Sequence, residues 1–529
     1  MKDSLERVQS RSFSAEIRLF APLQRASALV QKTSEFLDGH PGIVLAFLIA
    51  AYLAASIPTA VLRPFWLDEL METWVCAQSS AMAVLHTLQT SPATTDPPLH
   101  YLLTHFLLAA FGVHEWVPRL PAFIGFLTAL VCLYQFTRRR LGVSVAAIAV
   151  ILLLSSNALY YASEGRPYGM VMGCSGVMLL AWQSLNMGIS PRWNRVWIAL
   201  ALAVAIASHY YGILFGLPVL AGEAVRWHRR RRIDWGMLAA VTIGYSAMLT
   251  WIPFLPAAMV WKSHIWFKPG FEDALLMFGD LGSLPLILFF IGAVFLVHSF
   301  IPARSERQSN RFTEFPSEEA AAVLTLALLP VIGFFVSKFA SKLFLSRYVI
   351  ASSMAVSILV ASMGCLLRLY RRTWLAVIAV LLFCFFVGMK ARNLRYEINS
   401  DKEFSATLHQ FAALPGPIVI CAPHDFAQFR YYLPTEAKGK IYWLSDLPAA
   451  LKYIKVDTDV RMMTAIQKVK DVQVADMRTF LRNHRSFYVY RRKQGYYLMP
   501  FLLDSGMQVS YLGTKAGGEF FHIVNPALK

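Results

Sequence analysis

About eleven apolar stretches run through this chain, and the polar residues between them fall into two alternating kinds. The stretches lie at about 43–62, 118–137, 143–162, 168–186, 195–209, 211–226, 235–255, 283–300, 319–337, 347–367 and 373–390. Most come close to the roughly 20 apolar residues that a helix needs to cross a bilayer. After every second stretch comes a run of arginine: Arg138-Arg139-Arg140, Arg192/Arg195, Arg226 to Arg232, Arg304/Arg307/Arg311 and Arg368/Arg371/Arg372. Basic loops face the cytosol, so this register places the N-terminus inside and residues 391–529 outside. Residues 1–42 are polar and basic and precede the first stretch, as expected of a retained signal anchor rather than a cleaved leader. The pair within 195–226 reads either as two short helices or as a re-entrant pair.

Segment 97–112 fixes the register. It holds about 15 residues with His100 and His105, short for a span. Counting it as one would place Arg138–Arg140 outside and reverse every later loop. It reads instead as an amphipathic helix lying in the outer interface, which makes 63–117 one large external loop. Residues 391–529 differ in kind. Strand-like runs at Pro417–Ile420, Lys440–Trp443 and Ser486–Val489 alternate with helical patterns near 402–413 and 475–484. That alternation predicts a small external α/β domain. The expected fold is therefore a polytopic α-helical membrane module, 43–390, with an α/β domain, 391–529.

Composition agrees with the pattern. The chain has 529 residues, 56% hydrophobic and 16% charged, against about a quarter charged in soluble chains. A net charge of +18 would fit nucleic acid, but most of the excess is arginine between spans, where it orients the protein, so no nucleic-acid partner is expected. Cys132, Cys174, Cys365 and Cys384 lie in apolar spans, leaving Cys76 and Cys421 outside with no CxxC pair. Neither a disulfide framework nor a thiolate metal site is expected.

The chemistry collects on the other face. There the register gathers Asp68, Glu69, Asp96, Glu164, Arg166, Tyr168, His209, Tyr210, Lys262, His264, Lys342, Arg347 and Tyr348 at one depth. Acids near mid-membrane would point to ion translocation, but the span centres are almost free of them. Carboxylates, imidazoles and cations at the outer surface suit a reaction on an anionic lipid headgroup. Each element also has a plainer reading. Asp68 can simply cap a helix over 69–79, although a cap needs only one acid. Successive helical residues point about 100° apart, so the two carboxylates cannot aim at one substrate, and the economical assignment makes Asp68 the base and Glu69 the organiser. Asp96 can be a turn-former before Pro97-Pro98. His209 can be a hydrogen-bonded interfacial residue, as can His100 and His105, and the lysines can snorkel towards lipid phosphates.

Taken in order, these motifs resemble the membrane-embedded GT-C glycosyltransferases. They are the acidic pair after the first span, Pro97-Pro98-Leu99 in the same loop, Arg119-Leu120-Pro121 at the next span, Glu164-Gly165-Arg166-Pro167-Tyr168, Ser208-His209-Tyr210-Tyr211 and Phe344-Leu345-Ser346-Arg347-Tyr348. The likeness is to the protein O-mannosyltransferase and lipid A aminoarabinose transferase branch and covers about 40–390. It implies transfer of a sugar, with inversion, from a polyprenyl-phosphate donor to an extracytoplasmic lipid, glycan or protein acceptor. It puts Asp68 at the catalytic carboxylate and Glu69 beside it. Arg347, Lys342, Arg166, Tyr348 and Lys262 are then expected around the donor phosphate, and Glu164, Tyr168, His209 and Tyr210 in support. Asp96 stands where aminoarabinose transferases carry a metal-binding acid, with His264 as its candidate partner, so a divalent metal is an open expectation. Compact loops and the basic N-terminus suggest a bacterial inner membrane. The competing readings are a transporter of lipid-linked sugars and a non-catalytic envelope scaffold.

Overall fold

A computed structural model describes residues 28–91, 93–94, 96–263, 270–282, 284–300, 315–339, 344–366, 373–492, 496–515 and 517–528. Helices occur where the apolar stretches fall, and among the described residues three of them are long and apolar enough to cross a membrane. These are α1 (Pro41–Leu62), α5 (Trp116–Leu141) and the apolar part, Trp374–Tyr396, of α16 (Trp374–Ala412). Three bent pairs raise that number to six, so the expected count of about eleven is larger than the helices passing this test. One bent pair is α6 (Val143–Ser155) with the 3-10 turn Asn157–Ser163, at 69°. The break there is capped by Ser156, whose Oγ accepts the Ala158 N–H at 3.2 Å. Between α1 and α5 lie α2 (Leu67–Cys76), α3 (Ala81–Thr90) and α4 (Pro98–Phe111). The last is a 14-residue helix, too short to span, where the interfacial helix was expected. Beyond α6 come α7 (Tyr168–Asn186), α8 (Pro191–Ser208), α9 (Leu217–Arg230) and α10 (Trp235–Tyr245). They are followed by α11 (Phe271–Leu281), α12 (Leu284–Phe300), α13 (Ser317–Ala327), α14 (Leu329–Phe339) and α15 (Ser352–Ser362).

The crossing of α5 and α7 sets the geometry of everything above it. A Cβ on Gly169 would stand 2.3 Å from the Ala122 carbonyl oxygen, and one on Gly125 would stand 2.3 Å from Met170 Cα. Small residues let the two backbones touch, and that contact brings Arg119, one turn before Ala122, level with Glu164–Tyr168. At the far end of α5, about 28 Å away at 1.5 Å per residue, the arginine loops meet each other. Arg140 pairs with Glu319, Arg229 with Glu318 at 2.6 Å, and Arg195 and Arg226 both with Asp234 at 2.9 and 3.0 Å. The two kinds of loop seen in the sequence thus form two clusters a membrane thickness apart. The arginines of 304–311 and 368–372 lie outside the described residues.

The long α16 carries the chain without a break from the apolar module into the α/β domain. Its sheet has the order β3-β2-β1-β4-β6-β5. The strands are β1 (Ile418–Ile420), β2 (Ile441–Ser445), β3 (Val474–Asp476), β4 (Ser486–Arg491), β5 (Gln508–Lys515) and β6 (Gly518–Val524). The first four pair in parallel, and β6 and β5 add an antiparallel hairpin. Every residue of β1 is buried, as in a strand covered on both faces. Phe65, Leu67, Leu70 and Met71 from the 63–117 segment share the hydrophobic core of this domain. The contact is made through α17 (Pro423–Tyr432), whose Tyr432 hydroxyl accepts the Phe65 N–H at 2.8 Å. On the same helix, the Gln428 amide donates to the Phe65 carbonyl at 2.7 Å.

Candidate active site

Five separate segments meet above the α5–α7 crossing, and an acid on α2 anchors them. The helix starts at Leu67, so Asp68 and Glu69 both lie in its first turn. Glu69 does the capping: its Oε2 accepts the Trp66 N–H at 3.3 Å. It is fully buried and takes Arg119 bidentately, Nε to Oε1 at 2.7 Å and a terminal nitrogen to Oε2 at 2.8 Å. Oε1 also accepts the Gly165 N–H at 2.8 Å. Burial alone would raise this carboxyl, but Arg119, Arg63 and the Gly165 amide outweigh it and hold it below the ordinary range. Arg119 in turn donates to the Ala60 and Arg63 carbonyls at 2.8 Å each, satisfying the open C-terminal end of α1. One buried pair therefore ties α1, α2, α5 and the 164–167 loop together.

Asp68 is relieved of that duty. It is partly exposed, and its Oδ2 lies 3.2 Å from the Arg347 guanidinium. Arg347 comes from the 3-10 turn Ser346–Val349 and sits between two rings, 5.7 Å from the Trp66 centroid and 5.6 Å from that of Tyr168. Its Nε has no hydrogen-bond partner among the described residues. Tyr168, His209 and Tyr348 form one aromatic wall, with centroids 5.0 Å apart for His209–Tyr348 and 5.6 Å for Tyr168–His209.

A second network lies behind this wall. Arg166 donates to Glu72 at 3.0 Å and to Asp96 at 2.6 Å. Glu72 also contacts His100, both fully buried. His209 Nδ1 accepts the Tyr211 N–H at 3.2 Å, which leaves Nε2 facing Asp96 Oδ1 at 3.6 Å. Glu164 is fully buried, yet neither of its oxygens has a hydrogen-bond partner among the described residues.

The structure thus brings Asp68, Glu69, Asp96, Glu164, Arg166, Tyr168, His209, Arg347 and Tyr348 together. Tyr210 lies outside the aromatic wall, with its ring 5.1 Å from that of Trp251. Tyr211 takes the expected place, stacked on Tyr348 at 5.1 Å. His264, Lys342 and the Lys262 side chain lie outside the described residues. Neither Asp68 as a bare helix cap nor His100 as an interfacial residue matches what is seen. Sequence patterning assigns no role to Glu72 or Arg119, although Glu72 stands at i+3 from Glu69 and i+4 from Asp68, on one helical face.

Asp96 does not fit a cation site as arranged. The Arg166 guanidinium fills the space between Asp96 and Glu72, and the other Asp96 oxygen faces His209. No group of three His, Cys, Asp or Glu side chains among the described residues is placed to hold a metal ion.

Two solved structures of ArnT from Cupriavidus metallidurans share this architecture. The apo form matches with a TM-score of 0.52 and the undecaprenyl phosphate complex with 0.53, each at 14% identity over 91% of this chain and 98% of that one. The chain has the GT-C fold. Residues 95–258 also match the family described as dolichyl-phosphate-mannose-protein mannosyltransferase. A looser likeness, TM-score 0.44 at 12% identity over 84% of this chain and 67% of that one, is to an Archaeoglobus fulgidus oligosaccharyltransferase in complex with zinc and sulfate. No curated protein sequence matches. The GT-C likeness to ArnT runs through the α/β domain as well as the helical module, and the mannosyltransferase match contains Asp96, Arg119, Glu164, Arg166, Tyr168 and His209.

Proposed function

We propose that this protein is a membrane glycosyltransferase that moves a sugar from a polyprenyl-phosphate donor to an acceptor hydroxyl on the outer face of a bacterial inner membrane. The observation that carries this reading is the Asp68–Arg347 pair: a partly exposed carboxylate 3.2 Å from a guanidinium that is framed by Trp66 and Tyr168 and keeps an unused Nε. Transfer needs a base for the acceptor and a cation for the leaving phosphate, and these stand side by side. The undecaprenyl phosphate in one ArnT structure supports the carrier class.

In the reaction, the acceptor oxygen attacks the anomeric carbon while its proton passes to Asp68. The bond from that carbon to the phosphate oxygen breaks, and its electron pair leaves on the phosphate facing Arg347. Attack opposite the leaving group inverts the anomeric centre. A positioned base contributes roughly 10²–10⁴ in rate, and a pre-placed cation in a water-poor site usually contributes more. Arg347 can hold phosphate through two nitrogens once the bond to Asp68 is exchanged for one to the donor. A cavity of about 480 Å³ between α1, the 157–163 turn and α16 offers the carrier chain a path beside the loop that bears Glu164. No step runs through a metal ion.

The test is reconstituted protein with polyprenyl-phosphate sugars, following release of polyprenyl phosphate. Asp68→Asn is expected to abolish release and retain donor binding. Unchanged turnover in that variant refutes the assignment, and movement of the intact carrier across the membrane without any new glycosidic bond favours transport instead.

A further inference from the structure

Glu164 is the one acid of the site whose buried oxygens are both without a hydrogen-bond partner among the described residues. The residues that follow it are engaged elsewhere. Gly165 gives its N–H to Glu69, and Arg166 bridges Glu72 and Asp96. The loop is thus held by its neighbours, and the Glu164 side chain contributes nothing to holding it. Leaving a buried carboxyl unpartnered is costly, and such a group calls for a ligand to explain it.

The surroundings say what kind of ligand. Arg347 is the strongest cationic influence on Glu164, yet no ion pair joins them, and the Arg347 Nε and the Tyr168 hydroxyl also lack partners. Two donors and a carboxyl are therefore left open near one another, beside the base. The charged and titratable groups around Glu164 are Asp68 and Glu69 from α2, Arg347 from the 346–349 turn, Arg166 from its own loop, Tyr160 from the preceding turn and Arg63 just after α1, which donates to the Ser163 carbonyl at 2.6 Å. Burial, with Glu69 and Asp68 adding to it against Arg347 and Arg166, pushes the carboxyl up to about 8. At neutral pH it carries its proton and is a hydrogen-bond donor.

We propose that Glu164 binds the carrier phosphate as a neutral acid, donating its O–H to a phosphate oxygen held by Arg347, and that its ionisation releases that phosphate. This rests on the donor class given above and adds the group that sets its pH range. No covalent bond changes: the proton stays on Glu164 while the phosphate is bound. An ionised carboxylate in the same place would set a negative charge against the phosphate in a low-dielectric site, where repulsion is strong.

The experiment is equilibrium binding of undecaprenyl phosphate to the full-length protein in nanodiscs from pH 7 to 9.5. It compares the wild type with Glu164→Gln and Glu164→Ala. The second ionisation of a phosphate monoester, near 6, is about nine-tenths complete at pH 7 and essentially complete by pH 8, so its charge is constant where the decline is read. Wild-type affinity is expected to fall about tenfold per pH unit above pH 8. Both variants are expected to lose that dependence, with the glutamine form the tighter because its amide still donates. A merely structural Glu164 would change affinity without changing the slope. A flat wild-type profile, or the same decline in both variants, overturns the proposal. Absence of binding by the wild type at every pH removes the polyprenyl-phosphate reading and this inference together, whereas binding with a flat profile removes only the inference.

Discussion

The Glu69–Arg119 pair should behave as a single structural unit. Both side chains are fully buried, joined by bonds of 2.7 and 2.8 Å, and together connect α1, α2, α5 and the loop bearing Glu164. Removing one partner of a buried pair leaves the other charge without compensation, at a cost of about 3–5 kcal/mol. Glu69→Ala strands a guanidinium that burial keeps from water. Arg119→Ala strands a carboxylate and frees the Ala60 and Arg63 carbonyls as well. The double variant removes both charges, so its cost should fall short of the sum of the singles by about 3 kcal/mol, a factor of more than 100 in the folded ratio. Equilibrium unfolding in mixed micelles, run as a double-mutant cycle, measures this coupling directly. The pH dependence has a defined sign. The Glu69 carboxyl is held below its ordinary value near 4.3, so its stabilisation is complete above that value and is lost as pH falls through the lower folded-state value. Costs that add to within about 0.5 kcal/mol would refute the view that this pair organises the site.

Three further outcomes follow from particular contacts. Arg166→Lys keeps one charge but cannot span Glu72 and Asp96 at once; transfer should fall at least tenfold with little loss of folded protein, and near-normal kcat would count against a role for this bridge. Gly169→Val puts side-chain atoms where a Cβ already meets the Ala122 carbonyl at 2.3 Å; the α5–α7 crossing should open and the protein should fail to accumulate in the membrane, an outcome read by detergent-solubilised yield. Tyr432→Phe removes the hydroxyl that accepts from Phe65 and donates to Glu115 at 3.0 Å. Because it frees the loop before Asp68 while leaving the α/β core intact, kcat should drop several-fold with an unchanged unfolding midpoint.

Much of the helical layout was legible because hydrophobic length is a local property. Helical segments stand at the predicted spans, and the short helix 98–111 stands where its two histidines and its length placed an interfacial segment. The bends were not legible, because the 69° break after Ser155 is capped by a serine inside an apolar run and leaves no gap in hydrophobicity. In the α/β domain, β1, β2 and β4 were signalled by β-branched and aromatic runs, whereas the β5–β6 hairpin was missed despite Gly517 in its turn and Gly518 opening β6. The site shows the same division. Asp68, Arg166, His209 and Arg347 were gathered by sidedness alone. The Glu69–Arg119 and Glu72–His100 pairings were not, since they join residues 50 and 28 positions apart in the chain, and one sequence carries no signal for which side chains pair across such distances. Tyr210 was expected where Tyr211 stands because α8 ends at Ser208 and a 3-10 turn follows, which rotates the side chains out of helical register.

The most direct test of a shared outer chamber is the accessibility of its two central residues. Asp68→Cys and Arg347→Cys, each in a background lacking the native cysteines, are exposed to a membrane-impermeant maleimide from either side of intact vesicles. Both positions are expected to react from the outer side only, with the double variant closing a disulfide under mild oxidation. Labelling of positions 68 and 347 from opposite sides, or of both from the cytosolic side, would contradict that chamber and the chemistry assigned to it.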